Sequence, residues 1–134
     1  MTTIPKEVQE FLPGKLAWVA TVSSSGEPNV TPKGTLKLLD EHHVTFADLF
    51  AGKTRQNLQG NPKVAATVAD IATGKAYQLK GVAQLIESGD LFRRVVDEAK
   101  QAHQGIPEPR YVVSIAVESV FDQSGGPEPG KQIA

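Results

Sequence analysis

The stretch Ala47-Asp48-Leu49-Phe50-Ala51-Gly52-Lys53-Thr54 decides between two architectures, because it fits the permissive phosphate-loop pattern of Ala or Gly, four residues, then Gly-Lys-Ser/Thr. It follows the strand-like Val44-Thr45-Phe46-Ala47 and precedes a short helical pattern, Gly52 to Gln59, and Asp70 stands where a magnesium-holding aspartate would. A phosphate-cradling loop needs small residues so that successive N–H groups can close on the anion, and Leu49-Phe50 is bulky there. Gly60-Asn61-Pro62 ends the helix early, and the strands that follow lack the long crossover helices that parallel pairing requires. The nucleotide-hydrolysing α/β reading fails, so neighbouring strands must pair antiparallel. Its physical remainder survives: Gly52, Lys53, Thr54 and Arg55 open a helix whose free N–H groups and dipole favour a bound phosphate, and Asn57 adds an amide one turn along. Ordinary capping with solvated basic residues explains the same pattern.

Outward from this point the chain reads as short strands. Leu16 to Ser23 is rich in Val, Ala, Trp and Thr, the turn Ser24-Ser25-Gly26-Glu27-Pro28 follows, and an extended pattern resumes from Asn29 to Leu39. Within that second arm Thr31, Lys33, Thr35 and Lys37 alternate with Pro32, Gly34, Leu36 and Leu38, placing two lysines and two hydroxyls on one face. A solvated strand face accounts for this equally. The turn Asp40-Glu41-His42-His43 and the strand Val44–Ala47 complete a three-stranded meander. Lys63 to Asp70 reads as a strand, Ile71 to Gly74 as a turn, and Lys75 to Glu87 as a long strand in which Gly81 suggests a bend or a close approach. Leu91, Phe92, Val95, Val96 and Ala99 form the apolar stripe of a helix opened by Ser88-Gly89-Asp90, and Arg110 to Phe121 alternates as a last strand. A short helix over Thr3–Leu12, with a hydroxyl cap, precedes everything, and residues 123–134 read as a loose tail. About six antiparallel strands with two or three short helices make a small β-barrel, one domain over 1–134.

Composition narrows the chemistry. The 134 residues include 40% hydrophobic side chains, enough for one core burying roughly 65–70% of the unfolded surface. With no cysteine, disulfides, thiolate metal sites and thiol nucleophiles are excluded. Fourteen basic against fifteen acidic residues give a net charge of −1, so no global field draws nucleic acid, and any anion site is local. No apolar run is long enough to span a membrane and no signal peptide is readable, which makes the cytoplasm the expected location. His42 and His43 in a turn and His103 at a helix end have no carboxylate or histidine at ligand spacing, so no metal is expected. No serine lies in a nucleophile-elbow pattern.

The order of segments from Leu16 to Phe121 resembles the pyridoxamine-phosphate-oxidase-like family of FMN-binding split-barrel proteins. Its carriers are Thr21 to Pro32, Val44-Thr45-Phe46-Ala47-Asp48, Gly52-Lys53-Thr54-Arg55-Gln56-Asn57-Leu58 with Asn61-Pro62-Lys63-Val64, and Tyr77-Gln78-Leu79-Lys80-Gly81-Val82-Ala83. The third segment is the sharpest. The resemblance implies a split barrel, FMN as cofactor, its phosphate on Lys53 and Thr54, and its ring along Pro32, Lys33, Gly34 and Thr35, with Lys37 a weaker contact. Ala47 and Asp48 would flank the ribityl chain, and Gln78 would reach the flavin from the partner subunit of a homodimer. Lys33 beside the ring would favour negative charge on the reduced flavin.

The family's true oxidases close on a carboxy-terminal arginine–histidine segment, whereas this chain runs Gln123 to Ala134 with neither residue. Lys53-Thr54 also stands where the oxidases usually carry Arg-Lys, closer to the small FMN-binding proteins of the same fold. The resemblance therefore implies an FMN-dependent oxidoreductase acting on a small substrate or redox partner, and not vitamin B6 oxidation. A non-catalytic flavin or tetrapyrrole carrier or sensor, and a deazaflavin-dependent reductase, are the rival readings. No residue is marked as a catalytic acid or base.

Overall fold

The computed structural model describes residues 1–50 and 52–134. In chain order the elements are α1 (Lys6–Phe11), β1 (Ala17–Val22), β2 (Pro28–Lys33), β3 (Lys37–Asp40), β4 (His43–Asp48), α2 (Lys53–Gly60), β5 (Lys63–Asp70), β6 (Lys75–Ile86), α3 (Asp90–Ala102), β7 (Tyr111–Asp122) and β8 (Lys131–Gln132). The strands form one antiparallel sheet in the order β2-β1-β5-β6-β7-β4-β3, with β8 beside β7. The ladder does not close on itself, and β2 and β3 are its two ends. This is the split barrel expected from the sequence, with eight strands where about six were read.

Two of the differences have plain physical causes. The run Asn29–Leu39 is not one strand but two, and the three-stranded meander is replaced by two hairpins at opposite ends of the sheet. The chain leaves β1 after Lys33 and crosses to β4, where the Thr35 hydroxyl donates to the Ala47 carbonyl (2.9 Å) and accepts from the Ala47 N–H (3.0 Å). One side chain thus takes the place of a ladder rung and redirects the backbone. The tail is also tied down at its end: β8 pairs with Phe121 and Asp122, the Val120 N–H donates to the Ala134 carbonyl (2.9 Å), and Ile133 packs on the core. Burying Ile133 gives residues 131–134 a reason to return. At the other terminus α1 begins after Pro5 with no hydroxyl cap.

Alternation puts Ala17, Val19 and Thr21 of β1 inside and Trp18 and Val22 outside. Val44 and Phe46 of β4, Val113, Ile115 and Val117 of β7 and Leu79 of β6 complete the interior, to which the N-terminal segment adds Ile4, Val8 of α1 and Leu12. β4 shows no alternation because α3 covers its other side: Val95, Val96 and Ala99 pack with Ala47 and Val112. Burial of each such valine stabilises by about 1.5–3 kcal/mol as an upper bound. Gly81 is required by contact, since a Cβ there would lie 2.1 Å from the Ala116 carbonyl oxygen where the β6–β7 register shifts. α2 follows β4 and lies over β1 and β2, which sets the stage for the site.

Candidate functional site

The open seam between β2 and β4 is bridged by side chains. Lys33 Nζ, at the end of β2, lies 3.1 Å from Asp48 Oδ2, at the end of β4, with only 15% and 3% of the two side chains exposed. Asp48 also accepts from the Tyr111 hydroxyl (2.7 Å) and from the Phe50 N–H (3.1 Å). Three donors on one buried carboxylate compensate its desolvation. Burial first, and then the bond to Asp48, raise the Tyr111 pKa well above the ordinary value, so its hydroxyl stays a donor. Lys33 Nζ additionally stands 5.7 Å from the centre of the Phe46 ring. Against this seam lies a cavity of about 150 Å³ walled by residues 32–35 on one side and 47–50 on the other. Pro32, Lys33, Gly34, Thr35, Ala47 and Asp48, six of the sequence-predicted residues, meet in it.

In the chain, the cleft-lining residues 47–50 are followed by α2. The Gly52 N–H donates to the Phe50 carbonyl (2.9 Å), and Gly52, in extended conformation, is the N-cap with no side-chain cap bond. The first-turn N–H groups therefore have no capping side chain. Lys53 is exposed and forms no ion pair among the described residues. Thr54 and Asn57, one turn apart, face the sheet: Thr54 Oγ1 is 3.4 Å from Thr31 Oγ1, and Asn57 Nδ2 donates to Thr21 Oγ1 (3.0 Å), both residues being buried. Asn57 thus spends an amide N–H on holding α2 to β1. Arg55 turns away, pairing with Glu87 at 2.5 Å and lying 5.8 Å from the Tyr111 ring.

Two predicted residues lie elsewhere. Lys37 pairs with Glu98 of α3, and Gln78 faces outward from β6, 3.4 Å from the Gln123 amide. The pairings Pro32↔Trp18, Trp18↔Thr67 and Thr67↔Gln78 put Gln78 in one transverse row with Pro32, on the outer face and three strands away. Sequence reasoning missed Tyr111, whose role rests on a partner far along the chain. It also missed Asn29, whose Nδ2 is buried without a hydrogen-bond partner among the described residues, on the inward face of β2 with Thr31 and Lys33. No local motif signals a buried amide that lacks an acceptor. One further correction concerns His43: a carboxylate does stand beside it, Asp40 at 2.8 Å. Two groups are not a metal-ligand set, and no cluster of three occurs among the described residues.

Residues 4–124 match the family model described as pyridoxamine 5'-phosphate oxidase. The chain belongs to that family. An uncharacterized protein of Methanocaldococcus jannaschii is 32% identical over 133 residues, which span 98% of this chain and 88% of the relative. Among solved structures, HupZ of Group A Streptococcus superposes with a TM-score of 0.83 at 28% identity, covering 95% of this chain and 99% of that one. At lower identity, which speaks to the fold alone, an F420 reductase gives 0.70 at 17% identity over 87% and 98% of the two chains. An FMN-binding protein of Syntrophomonas wolfei gives 0.67 at 16% over 83% and 78%. No helix among the described residues is long and apolar enough to cross a membrane.

Proposed function

We propose that this protein is a cytoplasmic, homodimeric FMN-dependent oxidoreductase, with the phosphate held at the start of α2 and the ring along the cleft of residues 32–35 and 47–50. The observation that carries this reading is an uncapped helix start, with Lys53 exposed beside it, that follows the cleft-lining residues 47–50 in the chain. Membership of the oxidase family supports the flavin. When bound, FMN supplies the hydride or single-electron exchange. The chain supplies position: Thr54 and Asn57 fix α2 against β1 and β2, and Thr35 fixes the cleft wall to Ala47. Lys33 spends its charge on Asp48, so its part is to set the distance between the walls more than to add net positive charge.

Three observations favour a second copy completing the site. A cavity of about 150 Å³ is smaller than the roughly 300 Å³ at which ligand pockets begin. Gln78, three strands from Pro32, is about 14 Å away at ordinary strand spacing, so it meets a flavin on that edge only from another subunit. The outer face between them is apolar, with Trp18 47%, Val30 58% and Leu16 48% exposed.

The test is reconstitution with FMN, followed by absorption and affinity measurements on the wild type and on Lys53→Ala/Thr54→Ala. The double variant is expected to lose at least tenfold in affinity, about 1.4 kcal/mol, while remaining folded and dimeric. Unchanged affinity removes the phosphate assignment, and failure of the wild type to take up FMN removes the whole reading. Bleaching by a nicotinamide donor supports catalysis, whereas a flavin that no donor reduces supports a carrier or sensor. Uptake of a deazaflavin in preference to FMN would transfer the site to that cofactor. Trp18→Glu is expected to yield monomers in sedimentation and to weaken FMN binding with them.

A further inference from the structure

Phe50 is 67% exposed, and it is the only aromatic residue that lines the cleft of residues 32–35 and 47–50 among the described residues. An exposed phenylalanine alone is ordinary. Its place is what sets this one apart. Leu16, Trp18 and Val30 lie in or beside β1 and β2, on the face read above as a subunit contact, whereas Phe50 stands in the connection from β4 to α2, at the cleft itself.

The backbone that carries the ring is fastened on both sides. The Phe50 N–H donates to Asp48 Oδ1 (3.1 Å), and the Phe50 carbonyl accepts from the Gly52 N–H (2.9 Å). The other oxygen of the same carboxylate holds Lys33 of the opposite wall. One buried group thus fixes the separation of the walls and, through a single hydrogen bond, the place of Phe50 beside them. A position defined this well and filled by a large apolar side chain leaves that side chain's burial to something that enters the cleft. A flat molecule with two apolar faces removes the most water from both sides at once.

We propose that Phe50 is the stacking wall of the cleft, its ring lying against one face of the isoalloxazine while residues 32–35 cover the other. This rests on the FMN reading and adds to it the side chain that meets the ring. The negative face of a phenyl ring opposes the electron density that reduction adds to the flavin, so Phe50 also lowers the flavin's reduction potential.

The test is titration with FMN, read by absorption and by flavin emission, of the full chain and of Phe50→Ala, Phe50→Leu and Phe50→Trp. Because the side chain is open to water without a ligand, all three variants should keep the wild type's urea midpoint and its oligomeric state in sedimentation. Phe50→Ala is expected to weaken FMN by about three- to tenfold, and to weaken lumiflavin, which keeps the ring and lacks the ribityl phosphate, by a similar factor. Phe50→Leu retains an apolar cover without a π face. It should recover part of the affinity yet share with Phe50→Ala a flavin potential above the wild type's. Phe50→Trp should keep the affinity and quench the emission of bound flavin, since an indole donates an electron to an excited flavin only at close contact. FMN uptake with affinity and potential unmoved by Phe50→Ala, or a Phe50→Trp variant whose flavin stays as bright as the wild type's, overturns the stacking and leaves the FMN reading standing. Monomers from Phe50→Ala assign the ring to the subunit contact and overturn the stacking likewise. Failure of the wild type to take up FMN overturns both.

Discussion

The Lys33–Asp48 seam and the start of α2 are wired in opposite ways. At the seam every charge is answered from within: Asp48 has Lys33, the Tyr111 hydroxyl and the Phe50 N–H. At the helix start no side chain caps the first turn and Lys53 stands in solvent. Polar groups that satisfy one another hold a shape, and polar groups left open are available to a ligand. The contrast predicts that the two regions separate cleanly under mutation, one controlling stability and the other binding.

The largest effect is expected from Asp48→Ala, which strands a buried lysine and should cost about 3–5 kcal/mol in urea unfolding. A cost below about 1 kcal/mol would mean that the seam is not the clamp described. Tyr111→Phe removes one of Asp48's three donors and should cost about 1–1.5 kcal/mol. It carries a pH signature as well. Because the folded pKa of Tyr111 is raised above the unfolded value, its contribution is fully present below about pH 10 and declines as the pH rises beyond that. The wild type should therefore lose stability above that pH more steeply than Tyr111→Phe, and parallel curves would contradict the shift. Smallest is Lys53→Ala without flavin, expected to change stability by no more than about 0.5 kcal/mol. A larger loss would give Lys53 a structural role and blur the contrast.

Much of this arrangement was legible locally. Lys63–Asp70, the long strand with Gly81 and the helix carrying Val95, Val96 and Ala99 follow from periodicity and from glycine and proline, and each forms as read. The crossover at residues 34–36 was not legible, because Gly34-Thr35-Leu36 continues the alternation and only the distant Ala47 turns the chain. The cleft residues 32–35, 47 and 48 were reached through family resemblance, and the structure puts them together. Tyr111 and the Glu98 partner of Lys37 lie 63 and 61 residues from their counterparts, a separation over which no pattern carries information. That Trp18 faces outward was not legible either, since sequence gives a strand's period but not which face is covered.

The terminal strand β2 carries Pro28 and Pro32 on alternate positions. A proline in such a strand keeps its missing donor on the free side, so of positions 28, 30 and 32 only Val30 retains an N–H to offer there. At the opposite end β3 is four residues long and bounded by Lys37 and Asp40. Neither end invites strand addition. Two copies of this chain are thereby steered away from joining sheets edge to edge into open fibres.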